Sequence, residues 1–298
     1  MGDVFGFPEQ EFFSKGHSAC AGCGEAICMR HMLKAVNKDT ILVSATGCSE
    51  VVSTQFPYTS WKLPYIHAAF ETAASTASGI YRALKVQGKK TKVFAFGGDG
   101  ATFDIGFGAL SGAAERGEDF VYVCLDNEAY MNTGIQRSGS TPRFASTTTS
   151  PAGKKVHGKT EWKKPLPIIM AAHGCYVATA NIAYPNDLIQ KVKKAVDFNG
   201  LGYVQCFTPC VPGWKIDPSM TIEISKLAFN TCVYPLYEIE NGIVKISKEP
   251  AEKVPVAEYL KLQGRFKHLS EDEIKQVQQN VDMNWEKLKK LAESRLQI

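Results

Sequence analysis

The sequence predicts a doubly wound α/β fold with a mostly parallel sheet, and three observations carry that expectation. Short apolar runs alternate with helical stretches from about residue 25 to 210, as in sheets covered by helices on both faces. Several runs end in glycine or polar residues, which is where ligands bind in such sheets. A chain of 298 residues is long enough for one large domain or two smaller ones with a proper core.

In chain order, "ILVSATG" (41–47) gives a buried strand ending in a glycine turn. "AAFETAASTASGIYRALKVQG" (68–88) gives a helix rich in small residues and stopped by Gly88. "TKVFAFGGDG" (91–100) is a strand running into a glycine loop, residues 104–119 a helix, and "FVYVCLDNEAY" (120–130) a further strand with a polar end. Helix, strand, helix and strand follow over 165–174, 176–180, 186–200 and 201–210. Residues 134–164 break this rhythm. They are polar, basic and rich in Gly, Ser and Thr, which suits either a solvated loop or a segment covering the substrate or meeting a partner. Residues 232–247 give two strands joined by Glu240-Asn241-Gly242, where Asn-Gly favours a type I′ turn. Residues 270–296 give an amphipathic helix opened by a capping signal. A main domain over 1–225 and a C-terminal extension over 226–298 are expected.

Composition narrows the function classes. The net charge of +4 is mild and gives no reason to expect nucleic acid. No apolar run approaches the roughly 20 residues needed to span a bilayer. The first residues lack a charged start followed by an apolar run, and no Ser or Thr stands at position six, so neither a secretory leader nor myristoylation is expected. Nine cysteines without an export signal point to metal or redox use in the cytoplasm rather than to disulfides.

"GGDGATFDIG" (97–106) sits between a strand and a helix, a context that suits phosphate. The carboxylate of Asp99 would repel a bare phosphate, so a divalent cation should bridge the two; magnesium takes oxygen ligands of this kind. A second oxygen ligand should come from the tip of the neighbouring strand. Asn127 lies 28 positions after Asp99, one strand-to-strand repeat.

GDG followed at this interval by Asn resembles the thiamine diphosphate fingerprint. The longer stretch from Gly97 to Gly134 resembles the beta subunits of pyruvate:ferredoxin oxidoreductase and their 2-oxoacid relatives, and the resemblance covers roughly residues 17–215. It implies a pyrophosphate-domain fold in which Asp99, the Asn127 side chain and the Ala129 carbonyl hold Mg²⁺. It also implies cofactor contacts from Glu25, Gly47, Gly98, Gly100, Ala101 and Thr133, and a catalytic Asn132 facing the substrate and the thiazolium.

"CAGCGE" (20–25) offers two thiolates, and two ligands hold nothing firmly. The resemblance supplies the others: Cys20, Cys23, Cys48 in "ATGCSE" and Cys210 in "TPCVPGW" correspond to the family's four cluster thiolates. Spacing alone leaves structural zinc and iron–sulfur equally open; the thiamine fingerprint favours a 4Fe–4S cluster. Cys28, Cys124, Cys175, Cys206 and Cys232 fall in apolar or helical stretches and are expected to be buried thiols.

The reaction implied is oxidative decarboxylation of a 2-oxoacid, pyruvate first, with coenzyme A as acyl acceptor and ferredoxin as electron acceptor. The chain has no room for a second doubly wound domain. A pyrimidine-binding domain with its glutamate is therefore expected from an alpha subunit, with gamma and delta subunits or fused equivalents beside it. Three other readings stay open: the same chemistry on another 2-oxoacid such as a branched-chain oxoacid, phenylglyoxylate or oxalate, an electron-transfer subunit without thiamine, and a non-redox thiamine decarboxylase with structural zinc.

Overall fold

The computed structural model describes residue 6 and residues 8–155 and 157–294. The residues read above for leader signals fall partly, and the last two positions of the expected C-terminal helix wholly, outside that set. Elements run α1 (Gly24–Met32), β1 (Thr40–Ala45), α2 (Cys48–Val51), β2 (Tyr65–Ala68), α3 (Ala73–Val86), β3 (Lys92–Gly98), α4 (Phe107–Glu115) and β4 (Val121–Asp126). They continue α5 (Leu166–Ala171), β5 (Tyr176–Asn181), α6 (Pro185–Asp197), β6 (Gly202–Phe207), α7 (Val211–Trp214) and α8 (Thr221–Asn230). Last come β7 (Leu236–Glu240), β8 (Ile243–Lys248), α9 (Val256–Leu260) and α10 (Glu271–Ser294).

The strands form one eight-stranded sheet in the order β2-β1-β3-β4-β6-β5-β7-β8. The first six are parallel, and the β7–β8 hairpin joins the sheet antiparallel to β5. Alternate residues feed two cores. Phe94 and Phe96 of β3, and Val121, Val123 and Leu125 of β4, pack with α1 and α6 on one face. Val93, Ala95, Tyr122 and Cys124 pack with α3, α4, α8 and α10 on the other. That two-sided burial is the doubly wound sheet the apolar runs predict. The chain reverses direction across the sheet between β1 and β3, and in open α/β sheets the crevice at such a switch point takes the ligand.

Local details differ from expectation. Residues 65–68 form the edge strand β2, so the helix expected over 68–88 starts only at Ala73. The helix expected over 104–119 is shorter. A π-helical turn over Gly100–Ile105 precedes α4; Gly106 donates its N–H to the Ala101 carbonyl, five residues back, and sits so close that an added Cβ would approach that oxygen to 2.3 Å. The hairpin turn has positive φ at both Asn241 and Gly242, as a type I′ turn needs. Ser270 and Glu273 cap α10 reciprocally. No described helix is long and apolar enough to cross a membrane.

Candidate active site

Four adjacent strands, β1, β3, β4 and β6, end at one rim, and each is followed by a sequence-predicted site residue: Cys48, Asp99, Asn127 and Cys210. The N-terminal loop reaches the same rim because it is pinned there. Gly24 donates its N–H to the Pro209 carbonyl, and Thr221 Oγ1 donates to the Gly22 carbonyl at 2.6 Å. The fit is close enough to require glycine: a Cβ on Gly24 would lie 2.7–2.8 Å from the Thr208–Pro209 backbone.

Asp99 is fully buried at the tip of β3. Its Oδ2 accepts a short hydrogen bond from Ser138, while Oδ1 is buried with no partner. Burial, and then the nearby charge of Asp126, push its carboxyl well above the usual range. A buried carboxylate oxygen left without a donor is costly and marks a place for a cation. At the tip of β4, Glu128 has φ of 68°, and Asn127 Oδ1 accepts from the Ala129 N–H at 3.3 Å. This twist sorts the carbonyls. That of Asn127 accepts from Trp214 Nε1 at 2.8 Å and that of Glu128 from Thr141 at 2.7 Å, whereas no described donor bonds to that of Ala129. Asp99 Oδ1 and the Ala129 carbonyl therefore lack donors, and Asn127 Oδ1 has one long bond. These are the three atoms the fingerprint names for magnesium. Gly47 and Gly98 border open space, where a Cβ would meet nothing within 4 Å. A Cβ on Gly100 would strike the Tyr130 ring at 2.5 Å, and Ala101 is buried beside it.

Glu25 links this oxygen set to the thiols. It is buried in the first turn of α1, and Asn127 Nδ2 donates to its Oε1 at 2.5 Å. Burial pushes its carboxyl up to about 7, partly offset by that hydrogen bond. Burial first, and then the charges of Glu25 and Cys210, push the thiols of Cys23 and Cys48 up, that of Cys23 to about 12. Cys210, Cys23 and Cys20 add to the rise at Cys48. Cys20 is exposed and the other three are half-buried, while Cys28, Cys124, Cys175, Cys206 and Cys232 are buried as expected. Among the described residues no three His, Cys, Asp or Glu side chains converge closely enough to hold a metal ion as placed. The segments that carry the thiols reach this rim, but the thiols do not converge on a common centre. The proposed magnesium ligands, one carboxylate, one amide and one carbonyl, are not a cluster of that type.

Asn132 and Thr133 stand exposed on the 131–134 turn; Thr133 bonds to Gln136, and Asn132 bonds to none of the other candidates.

The basic 134–164 segment turns much of its polarity inward. The Lys159 ammonium donates to the carbonyls of Ser138, Gly139 and Thr141 at 3.2, 3.1 and 2.6 Å, and so shapes the turn that carries Ser138 to Asp99. Lys163 lies 2.6 Å from Asp126 and 3.0 Å from Glu128, and Arg265 lies 2.6 Å from Glu128. Burial alone would push Lys163 down, but these two carboxylates hold it up. Ser138, Lys159, Lys163 and Arg265 escaped sequence reasoning. The one available signal was the acidic pair around Asn127 in "LDNE", which needs countercharge once buried.

Residues 45–206 match the family described as thiamine pyrophosphate enzyme, C-terminal TPP binding domain. The chain is 54% identical to pyruvate synthase subunit PorB of Methanocaldococcus jannaschii over 288 residues, covering 94% of this chain and 97% of that one. It is 45% identical to PorB of Thermotoga maritima (94% and 92% covered) and 47% identical to ketoisovalerate oxidoreductase subunit VorB of Pyrococcus furiosus (96% and 95% covered). A chain of 2-oxoglutarate:ferredoxin oxidoreductase from Magnetococcus marinus shares the fold with a TM-score of 0.57 at 22% identity, over 74% of this chain and 81% of that one. With its match to the thiamine-binding domain family and its high identity to these subunits along nearly its whole length, the chain belongs to the family of pyruvate:ferredoxin oxidoreductase beta subunits and their 2-oxoacid relatives.

Proposed function

We propose that this chain is the beta subunit of a pyruvate:ferredoxin oxidoreductase, joining oxidative decarboxylation of pyruvate to acetyl-coenzyme A and CO₂, reversibly, with electron delivery to ferredoxin. The observation that carries the reading is the oxygen set at the tips of β3 and β4: Asp99 Oδ1 and the Ala129 carbonyl without donors, and Asn127 Oδ1 between them in sequence. Magnesium completes such a set with phosphate oxygens and water. Asp99, Asn127 and Ala129 would hold that ion, and Gly47, Gly98, Gly100 and Ala101 would let the diphosphate approach the backbone. Glu25 would face the cofactor from the thiol side. Asn132 and Thr133 would face cofactor and substrate at the mouth, Asn132 as the catalytic side chain. Cys20, Cys23, Cys48 and Cys210 would hold a 4Fe–4S cluster.

Bound thiamine diphosphate supplies the electron sink that decarboxylation requires, and a cluster beside it accepts electrons singly. The protein's own part is placement. Lys159 shapes the turn whose Ser138 fixes Asp99, Trp214 and Glu25 fix Asn127 from two sides, and both ties lead back to the thiol-bearing segments. A pyrimidine-binding domain with its glutamate would come from an alpha subunit, with gamma and delta subunits or fused equivalents completing a cytoplasmic complex. The names of the relatives as subunits support an assembly of this kind. The VorB relatives, at 47% identity, keep a branched-chain 2-oxoacid as the second substrate reading.

The test uses the assembled complex purified without oxygen. Expected are four irons and four labile sulfides in this subunit, Mg²⁺-dependent thiamine diphosphate binding lost in Asp99→Ala, and coenzyme A-dependent turnover fastest with pyruvate in a 2-oxoacid screen. Zinc in place of iron would point to a non-redox decarboxylase. Cluster without thiamine binding would leave an electron-transfer subunit.

A further inference from the structure

A second cavity, of about 490 Å³, lies behind the cofactor rim between the sheet, the 134–164 segment and α10. Its wall is mainly apolar, with Trp162, Tyr259, Phe266, Trp285 and Leu288 prominent. Small-molecule sites have this size and composition, with a few polar groups to orient the ligand. Here the polar groups lean to one sign. Arg143, Lys164 and Lys287 line the cavity, and none of them forms an ion pair among the described residues. The one carboxylate in the described wall, Glu128, is already held by Lys163 and Arg265.

Arg143 is the most specific feature. Its guanidinium carbon lies 4.7 Å from the Phe144 ring centroid and 5.0 Å from that of Trp162, so the group packs against both rings. Its Nε is buried without a hydrogen-bond partner. The terminal N–H groups of this planar guanidinium form no hydrogen bond among the described residues and match the two oxygens of a carboxylate.

We infer that this cavity binds an amphipathic monocarboxylate, with the carboxyl on Arg143, Lys164 and Lys287 adding positive field, and an aromatic or aliphatic body against Trp162, Trp285 and Leu288. The inference stands apart from the catalytic reading, because it uses neither the magnesium oxygens nor the thiols.

The experiment titrates the assembled complex with 3-phenylpropanoate and decanoate, and with the neutral 3-phenylpropanamide, following tryptophan fluorescence and saturation-transfer NMR. At least one acid should bind, and the amide should bind at least about tenfold more weakly than 3-phenylpropanoate, or not at all. Arg143→Met should abolish acid binding or remove the preference for acid over amide, and Leu288→Trp, which fills the cavity, should weaken binding of both, with circular dichroism confirming the fold of each variant. The acid–amide comparison on the unmutated complex does not depend on the variants folding. Binding of neither acid, equal affinity for acid and amide, or retained acid preference in Arg143→Met would overturn the inference.

Discussion

Replacing Glu25 with Gln removes one buried charge and little else. The Gln oxygen can still accept from Asn127 Nδ2, whose bond to Glu25 is 2.5 Å long. Burial raises the Glu25 carboxyl from 4.5 to about 7. Between those values the folded chain holds more protons than the unfolded one, so the stability of the unmutated chain falls as pH rises through this window. The difference corresponds to about 3 kcal/mol for this fully buried group. Asp99 and Asp126, also buried and raised, titrate in both proteins, so comparing the two isolates Glu25. The assay is urea unfolding of the reduced, cofactor-free full chain at several pH values from 4.5 to 8. Glu25→Gln should match the unmutated chain near the acid end and exceed it by about 3 kcal/mol at pH 8. A difference that does not change with pH would refute the reasoning.

Two further substitutions probe how the rim is held. Gly24→Ala places a Cβ 2.7 Å from the Thr208 carbonyl carbon, so the chain should lose about 1–3 kcal/mol and the anaerobic complex should lose iron. Gly108→Ala in α4, with nothing within 4 Å, should lose neither. Lys159→Met takes the ammonium from three carbonyls and leaves that of Thr141 without a donor, while those of Ser138 and Gly139 keep the N–H groups of Thr141 and Lys164; a loss of about 2 kcal/mol is expected in urea unfolding, with weaker Mg²⁺ dependence of thiamine binding as the Ser138 turn loosens.

The parts of this molecule that were legible in the sequence are those that local patterns encode. Apolar runs spaced by helical stretches gave the sheet, and Asn241-Gly242 gave its hairpin. GDG and Asn127 were readable because a loop and a polar tip at one strand-to-strand interval must meet at neighbouring strand ends. Edge strand β2 was missed because "YIHA" is only four residues long and two of them are exposed, so it carries no apolar signature. The inward turn of the basic segment was missed for another reason. Lys159 and Lys163 look like solvated charges in sequence, and only the fold reveals the buried carbonyls and carboxylates that require them. Arg265 lies 137 residues from the Glu128 it neutralises, a separation no local pattern spans.

The central claim is that an ion held by Asp99, Asn127 and Ala129 neighbours a cluster held by Cys20, Cys23, Cys48 and Cys210. Electron paramagnetic resonance of the complex loaded with Mn²⁺ in place of Mg²⁺ tests it directly. The account predicts tight Mn²⁺ binding that needs thiamine diphosphate and Asp99, with Mn²⁺ relaxation accelerated when the cluster is reduced and unaffected by reduction in Cys48→Ser. Mn²⁺ bound equally well in Asp99→Ala, or a signal indifferent to cluster reduction, would contradict it.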